Sequence, residues 1–252
     1  MLTHPKARAW VQIRANALRA NFMDVRDQVG SETGILPMVK ADAYGLGLEA
    51  SMRTLEPLDP WGFGVATVSE GVCLRELGFA GRIVVCSPAP RETMEAAVQH
   101  GLELSISSLD ALQALSEVSS RTESKADYHI DVDTGMGRSG FDWGDASTWL
   151  TDATKGAGGA SCVGCYTHLH SADVNDDTVE EQWARFSRVA ERIGSKRRAD
   201  DSEFTFHVLN SAGVFRIPEF ASSVVRPGTV SYTHLRAHET LRYLGCRLVR
   251  EK

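Results

Sequence analysis

Short apolar runs rich in β-branched residues alternate with longer amphipathic segments along most of this chain. The runs Ile35–Lys40, Gly62–Ala66, Arg82–Ser87, Leu102–Ser107, Tyr128–Asp133, Ser161–Leu169, Phe204–Asn210 and Ser222–Arg226 read as strands. The segments Val68–Gly78, Glu92–His100, Ser108–Val118, Val179–Ile193 and Ser211–Ile217 read as helices. Such alternation predicts an α/β fold with a parallel sheet under a layer of helices. Eight strands over 252 residues match a (β/α)8 TIM-type barrel, whose usual size is about 250 residues. An open doubly wound sheet is the competitor. It would carry a glycine-rich phosphate loop after its first strand, and no GxGxxG stands there.

A barrel puts its chemistry at the C-terminal ends of its strands. Unusual polar residues gather at those ends: Lys40 after the first strand, Asp133-Thr134-Gly135-Met136-Gly137-Arg138 after the fifth, Thr167-His168 after the sixth, Asn210-Ser211 after the seventh and Arg226-Pro227-Gly228 after the eighth. Lys40 is the most telling. A lysine that ends a buried strand and opens a glycine-punctuated turn is a candidate for Schiff-base chemistry. The competing reading is a lysine snorkelling to the domain rim. For His168 the competing reading is a satisfied core histidine, or a metal pair with His170; for Arg226 it is a rim arginine bound to a carboxylate.

Composition narrows the field. At 42% hydrophobic residues the chain can bury one large core. A net charge of −6 with no basic stripe before the C-terminus argues against a nucleic-acid partner. No apolar run reaches the roughly 20 residues that span a bilayer, and the N-terminus lacks a signal-peptide core. Five scattered cysteines suit reduced thiols in a cytoplasm. Cys162 and Cys165 form a CxxC inside a strand-like run, where residues three apart are expected on opposite faces.

The octet Lys40-Ala41-Asp42-Ala43-Tyr44-Gly45-Leu46-Gly47 resembles the cofactor-lysine motif of the alanine racemases. Asp133–Gly140, Gly164–His168 with Ala172-Asp173, Asn210-Ser211 and Val225–Gly228 resemble further motifs of that family, in the family's order. The resemblance covers most of residues 7–230. It implies pyridoxal 5'-phosphate as cofactor, no metal, alanine as substrate and a role in supplying D-alanine for peptidoglycan. It implies Lys40, Arg138 and His168 as catalytic residues. Lys40 would bind the cofactor and act as a base on one face of Cα, His168 would pack on the pyridine ring, and Arg138 would sit near the cofactor's phenolic oxygen and the substrate carboxylate. Tyr44, Ser211, Gly228 and Thr229 would hold the phosphate with Asn210 beside them, and Arg226 would meet the pyridine nitrogen. Other amino-acid racemases, lyases or decarboxylases on the same barrel, and a non-catalytic cofactor-carrying barrel, are the alternatives. A metal-dependent hydrolase barrel ranks below them.

Two departures accompany the resemblance. Many family members have a lysine, often carbamylated, where this chain has Asp131; a carboxylate there is expected to orient Arg138 without carbon dioxide. The family also has a C-terminal β-domain that supplies a second catalytic tyrosine across a homodimer interface, and nothing after residue 230 resembles it. We therefore expect residues 1–230 to form the cofactor barrel, with the homodimer and most of the activity lost. The last 22 residues carry +3, leaving −9 on the rest. The string Ser231–Thr240 resembles translated sequencing-adapter DNA, so residues 231–252 are expected to be non-native. The alternative there is an amphipathic helix pairing His234 with His238 on a metal. The segment Ala9–Ile13, which pairs with the second domain in the family, is expected to be left as an exposed edge.

Overall fold

A computed structural model of the chain describes residues 13–174, 177–195 and 204–232. The strands are β1 (Gly34–Ile35), β2 (Phe63–Val65), β3 (Ile83–Pro88), β4 (Glu103–Ile106), β5 (Ala126–Asp133), β6 (Phe141–Asp142), β7 (Ala160–Tyr166), β8 (Thr205–Asn210) and β9 (Val224–Arg226). Every named pairing is parallel, in the order β1-β9-β8-β7-β5-β4-β3-β2, with the short β6 attached to β5. The chain beyond β1 closes the ring against β2. Trp61 N–H donates to the Ile35 carbonyl at 2.8 Å, Gly64 N–H to Pro37 at 2.9 Å and Val39 N–H to Gly64 at 2.7 Å. The architecture is the expected (β/α)8 barrel.

The helices are α1 (Ala15–Val29), α2 (Leu48–Leu55), α3 (Val68–Glu76), α4 (Met94–Gln99), α5 (Leu109–Thr122), α6 (Ala146–Lys155), α7 (Thr178–Gly194), α8 (Ser211–Arg216) and α9 (Thr229–Tyr232). In α1 the buried residues Leu18, Phe22 and Val25 recur at helical spacing. The side-chain amide of Asn21, on the same helix, donates to the Ser231 carbonyl at 3.0 Å, which ties α9 to α1. No described helix is long and apolar enough to cross a membrane. The expectations for Ala9–Gln12, for residues 233–252 and for the His234–His238 pair lie outside the described residues.

Strand parity sorts two interiors. Ile35, Val85, Leu104, Ile130, Cys165, Val208 and Val225 join the large apolar core that the helices cover. Their sequence neighbours Leu36, Val84 and Val224 form a small separate cluster. The other residues of that second parity are polar: Glu103, Ser105, His129, Asp131, Tyr166, His207 and Arg226, all buried. The barrel therefore has an apolar jacket and a polar centre. Gly164 makes room for that centre, because a Cβ there would stand 2.1 Å from His129 Nδ1.

Two expectations are corrected. A register shift sets Tyr128 against Cys162 but His129 against Gly164 and Ile130 against Cys165. The extra residue of this bulge puts Cys162 and Cys165 on the same side, against the outer core, rather than on opposite faces. The sixth predicted strand also ends earlier, at Tyr166. The next three carbonyls leave the ladder for side chains: Thr167 accepts from Arg226 at 2.7 Å, His168 from Gln182 at 3.0 Å and Leu169 from Asn210 at 3.0 Å.

Gly164→Ala is expected to lower stability by about 2–3 kcal/mol in urea unfolding, since overpacking a filled interior forces its neighbours off their rotamers. An unchanged midpoint would mean that His129 does not occupy the barrel centre.

Candidate active site

The site begins with strained backbone. Ala41, Asp42, Ala43 and Tyr44 have φ of 51°, 54°, 53° and 56°. This is a turn of left-handed helix made without glycine, costing about 1–2 kcal/mol per residue. Lys40 stands at its start, with Nζ 5.9 Å from the centre of the Tyr44 ring. The turn is held by hydrogen bonds from Ala43 N–H to Val39 (2.8 Å), Gly47 N–H to Asp42 (2.9 Å) and Leu48 N–H to the Asp42 carboxylate (2.6 Å). A fourth runs from Ala41 N–H to the Glu70 carboxylate at 2.7 Å. Burial, then nearby Cys86, raises the Tyr44 phenol, so it stays protonated.

Opposite Tyr44 lies the turn after β9. A Cβ at Gly228 would fall 2.3 Å from Tyr44 Oη, so glycine is required for this approach. Gly228 N–H donates to Ser211 Oγ at 2.7 Å. Asn210 caps α8 by accepting from Gly213 N–H at 3.1 Å, while its amide holds the Leu169 carbonyl. Its contribution is therefore to join the turns after β7 and β8. Gln182, from α7, joins the turns after β5 and β7. Fully buried, it donates to Thr134 Oγ1 and the His168 carbonyl and accepts from His170 N–H.

A row of polar side chains crosses the barrel centre. Arg226 Nη1 lies 2.8 Å from His207 Nδ1, His207 Nε2 lies 3.0 Å from His129 Nδ1, and His129 Nε2 lies 2.7 Å from Glu103 Oε2. The donor inventory assigns the tautomers. Guanidinium only donates, so His207 Nδ1 accepts and its Nε2 carries the proton. His129 Nδ1 then accepts in turn, and its Nε2–H donates to a carboxylate. Burial, then the charge of Arg226, holds the His207 pKa well below the usual histidine range. Burial alone would raise the Glu103 carboxyl, but His129, Arg82 and Lys125 outweigh it and lower it. The Tyr166 ring stacks on His207, its hydroxyl donates to Ser105 Oγ, and the Arg226 guanidinium lies 4.8 Å from its centre.

Asp131 sits beside this row, buried, and accepts from Ser139 Oγ at 2.9 Å. Burial pushes its carboxyl up to about 6, against the opposing Ser139 bond and the charges of Arg226 and Arg138. Asp131 therefore reaches the arginine loop through Ser139, and Arg138 itself is solvent-exposed. His168 is lowered to about 3 by burial and by Arg226, Arg138 and Lys40, and is neutral at physiological pH.

Lys40, Tyr44, Arg138, His168, Asn210, Ser211, Arg226, Gly228 and Thr229 all line one cavity of about 450 Å³ at the C-terminal mouth of the barrel. Tyr166 and Cys86 line it too, and Glu103, His129 and His207 back it from within; none of these five was singled out from the sequence. Their signal was parity, since Glu103, His129 and His207 are polar residues at inward positions of otherwise apolar strands. His170 is exposed, with Nδ1 2.5 Å from Ser171 Oγ. Among the described residues, no group of three or more His, Cys, Asp or Glu could hold a metal ion.

Fold and site together define a parallel-barrel protein whose C-terminal mouth is a cationic cavity presenting a lysine amine and a buried guanidinium. Residues 13–235 match the family described as alanine racemase, N-terminal domain, and the chain belongs to that family. The alanine racemase of Clostridium novyi is 32% identical over 91% of the chain and 59% of its own length, and that of Carboxydothermus hydrogenoformans is 28% identical over 94% and 63%. The crystal structure of alanine racemase from Corynebacterium glutamicum superposes with a TM-score of 0.75 at 25% identity, covering 87% of this chain and 60% of that one. The chain thus spans about 60% of the length of the relatives it matches.

Two outcomes follow from the buried groups. Nitrogen NMR of the protein at pH 7 should report a neutral Nε2–H imidazole at His207; a cationic signal there would break the row. Asp131 binds its proton more tightly folded than unfolded. The stability it contributes is present below about 4 and lost as pH rises through about 6, roughly 3 kcal/mol in all. Asp131→Asn should therefore be more stable than the parent at pH 8, with the difference fading toward pH 4. Equal stability throughout would mean that the carboxylate is not desolvated.

Proposed function

We propose that this barrel binds pyridoxal 5'-phosphate and serves the interconversion of L- and D-alanine, the reaction named by its relatives. The observation that carries the reading is one cavity with a lysine amine at one wall, a buried guanidinium at its floor and hydroxyl and amide donors at a third side.

The residues present fit that cofactor. About 450 Å³ lies within the usual range for small-ligand sites. The side formed by Tyr44, Ser211, Gly228 and Thr229 offers hydroxyls and backbone N–H groups, the donors a phosphate takes. Its close packing depends on the missing Cβ of Gly228. When bound, pyridoxal phosphate supplies an electron-withdrawing ring that acidifies the Cα–H of an attached amino acid.

Lys40 would hold the cofactor's aldehyde carbon through Nζ, and its free amine would take or return a proton at one face of a bound amino acid's Cα. Arg226 sets the character of the ring. Its guanidinium has no acceptor, and its partners are His207 and the carbonyls of Thr167, His207 and Val208 rather than a carboxylate. Arg226 would donate to the ring nitrogen and could not take a proton from it, so the group would supply only moderate electron withdrawal, which favours return of the proton to Cα. His168, neutral, would pack on the ring without adding charge. Arg138, exposed at the mouth, meets the substrate carboxylate. Ser139 and Asp131 set the loop that carries it, with the negative charge that relatives draw from a carbamylated lysine.

Racemisation needs a second proton donor on the opposite face of Cα. The family draws it from a tyrosine of its C-terminal domain across a homodimer, and we infer that the present barrel binds cofactor but turns alanine over slowly. A reducing cytoplasm is the compartment this reading implies, and the thiols of Cys73, Cys86, Cys162 and Cys165 suit it.

A visible absorption spectrum after adding pyridoxal phosphate tests the assignment. A band that survives desalting and is missing in Lys40→Ala is expected, with alanine racemisation on the order of 10³-fold or more below that of a two-base enzyme. A folded parent with no band would overturn the cofactor assignment, and rapid racemisation would overturn the need for a second base from elsewhere.

A further inference from the structure

We propose that Glu70 is a positioning residue for Lys40: its carboxylate clamps the left-handed turn on which Lys40 stands to the first turn of α3. This inference rests on the reading of Lys40 as the cofactor-binding lysine. Three backbone donors converge on the one carboxylate. Ala41 N–H reaches Oε1 at 2.7 Å, and Ala66 N–H and Thr67 N–H reach Oε2 at 2.8 and 3.1 Å. The last belongs to a capping box, completed by Glu70 N–H donating to Thr67 Oγ1 at 3.3 Å. A residue needed only as a helix cap would use one oxygen. Here the second oxygen reaches across to the turn after β1, 29 positions earlier in sequence.

That second contact falls where the backbone needs it. Ala41 is the first of four successive residues held at positive φ, and it follows Lys40 directly. Left-handed backbone without glycine persists only where its surroundings over-determine it. Of the other bonds of this turn, those from Gly47 and Leu48 act on its far end, and that from Ala43 runs back within the turn's own segment to the Val39 carbonyl, whereas Glu70 reaches the near end from another element. The Glu70 bond holds the near end and so sets the direction in which the Lys40 side chain leaves the backbone. A carboxylate is suited to the task because it is acceptor-only and its bonds to N–H are charge-assisted. Glutamine at this position would turn an amide N–H₂ toward one set of donors and release either the turn or the cap.

Thr67 supplies the control. Thr67→Ala removes the hydroxyl half of the cap and leaves all three bonds to Glu70 in place. In the full chain, covalent capture of pyridoxal phosphate would be titrated by absorbance and trapped with borohydride for mass analysis. Hydrogen exchange at the amides of residues 41–44 would be read without cofactor. We expect Glu70→Ala to weaken capture by about tenfold and Glu70→Gln by several-fold, with Thr67→Ala within about twofold of the parent. Exchange at residues 41–44 should quicken in both Glu70 variants and not in Thr67→Ala. Equal capture and exchange in folded Glu70→Gln and parent would overturn the proposal, as would equal losses in Glu70→Ala and Thr67→Ala. A parent that captures no pyridoxal phosphate overturns the cofactor reading and the functional part of this one. Faster exchange confined to the Glu70 variants would then still distinguish a real clamp from a failed cofactor assignment.

Discussion

Burying the Arg226 guanidinium is the constraint around which the barrel interior is arranged. A cation in that place loses its hydration and survives only with every N–H satisfied and a counter-charge within reach. The chain meets this without a carboxylate in direct contact. Carbonyls of Thr167, His207 and Val208 take some of the donors, His207 takes another, and the compensating charge of Glu103 lies two imidazoles away. A neutral imidazole passes on hydrogen-bond direction without charge. Arg226 is therefore oriented and partly balanced, and it remains cationic toward the cavity.

Much of the remaining architecture serves this arrangement. Gly164 lacks a side chain because His129 fills the space beside it. The bulge between Cys162 and Gly164 restores the parity that lets Tyr166 stack on His207. β7 stops at Tyr166 because Arg226, Gln182 and Asn210 claim the next three carbonyls. That early stop delivers His168 to the cavity wall. Burial, then the charges of Arg226, Arg138 and Lys40, holds His168 neutral, and burial raises Asp131 against the pull of the two arginines. The site thus contains a neutral histidine and a readily protonated aspartate within a strongly cationic setting, which suits binding a phosphorylated, carboxylate-bearing ligand.

The opposite wall depends on backbone strain. Lys40 is delivered by a left-handed turn that four side-chain-bearing residues would not adopt alone. The strand before it is locked by closure of the ring against β2, and the turn itself by Glu70 and Asp42. A rigid scaffold on both sides lets the chain store this strain where Lys40 leaves the backbone toward the cavity.

Apolar runs and their alternation with amphipathic segments were enough to predict eight strands and the barrel, because burial on both faces of a parallel strand leaves a local mark in composition. Seven of the nine candidate residues that line the cavity were legible for a related reason, while Tyr44 and Thr229 came only from the family resemblance. Functional groups of a barrel sit just past strand ends, and Lys40, Arg138, His168, Asn210 and Arg226 each interrupt the apolar pattern there. The polar centre was not legible. Glu103, His129 and His207 lie far apart in sequence, each looks like an ordinary break in a strand, and only ring closure brings them into one row. The shared face of Cys162 and Cys165 came from a bulge that no local pattern announces. The left-handed turn after Lys40 was equally hidden, since alanine and tyrosine disfavour positive φ and aspartate visits it as a single residue rather than within a run of four. That conformation is imposed by contacts from α2 and α3, which tertiary structure alone supplies.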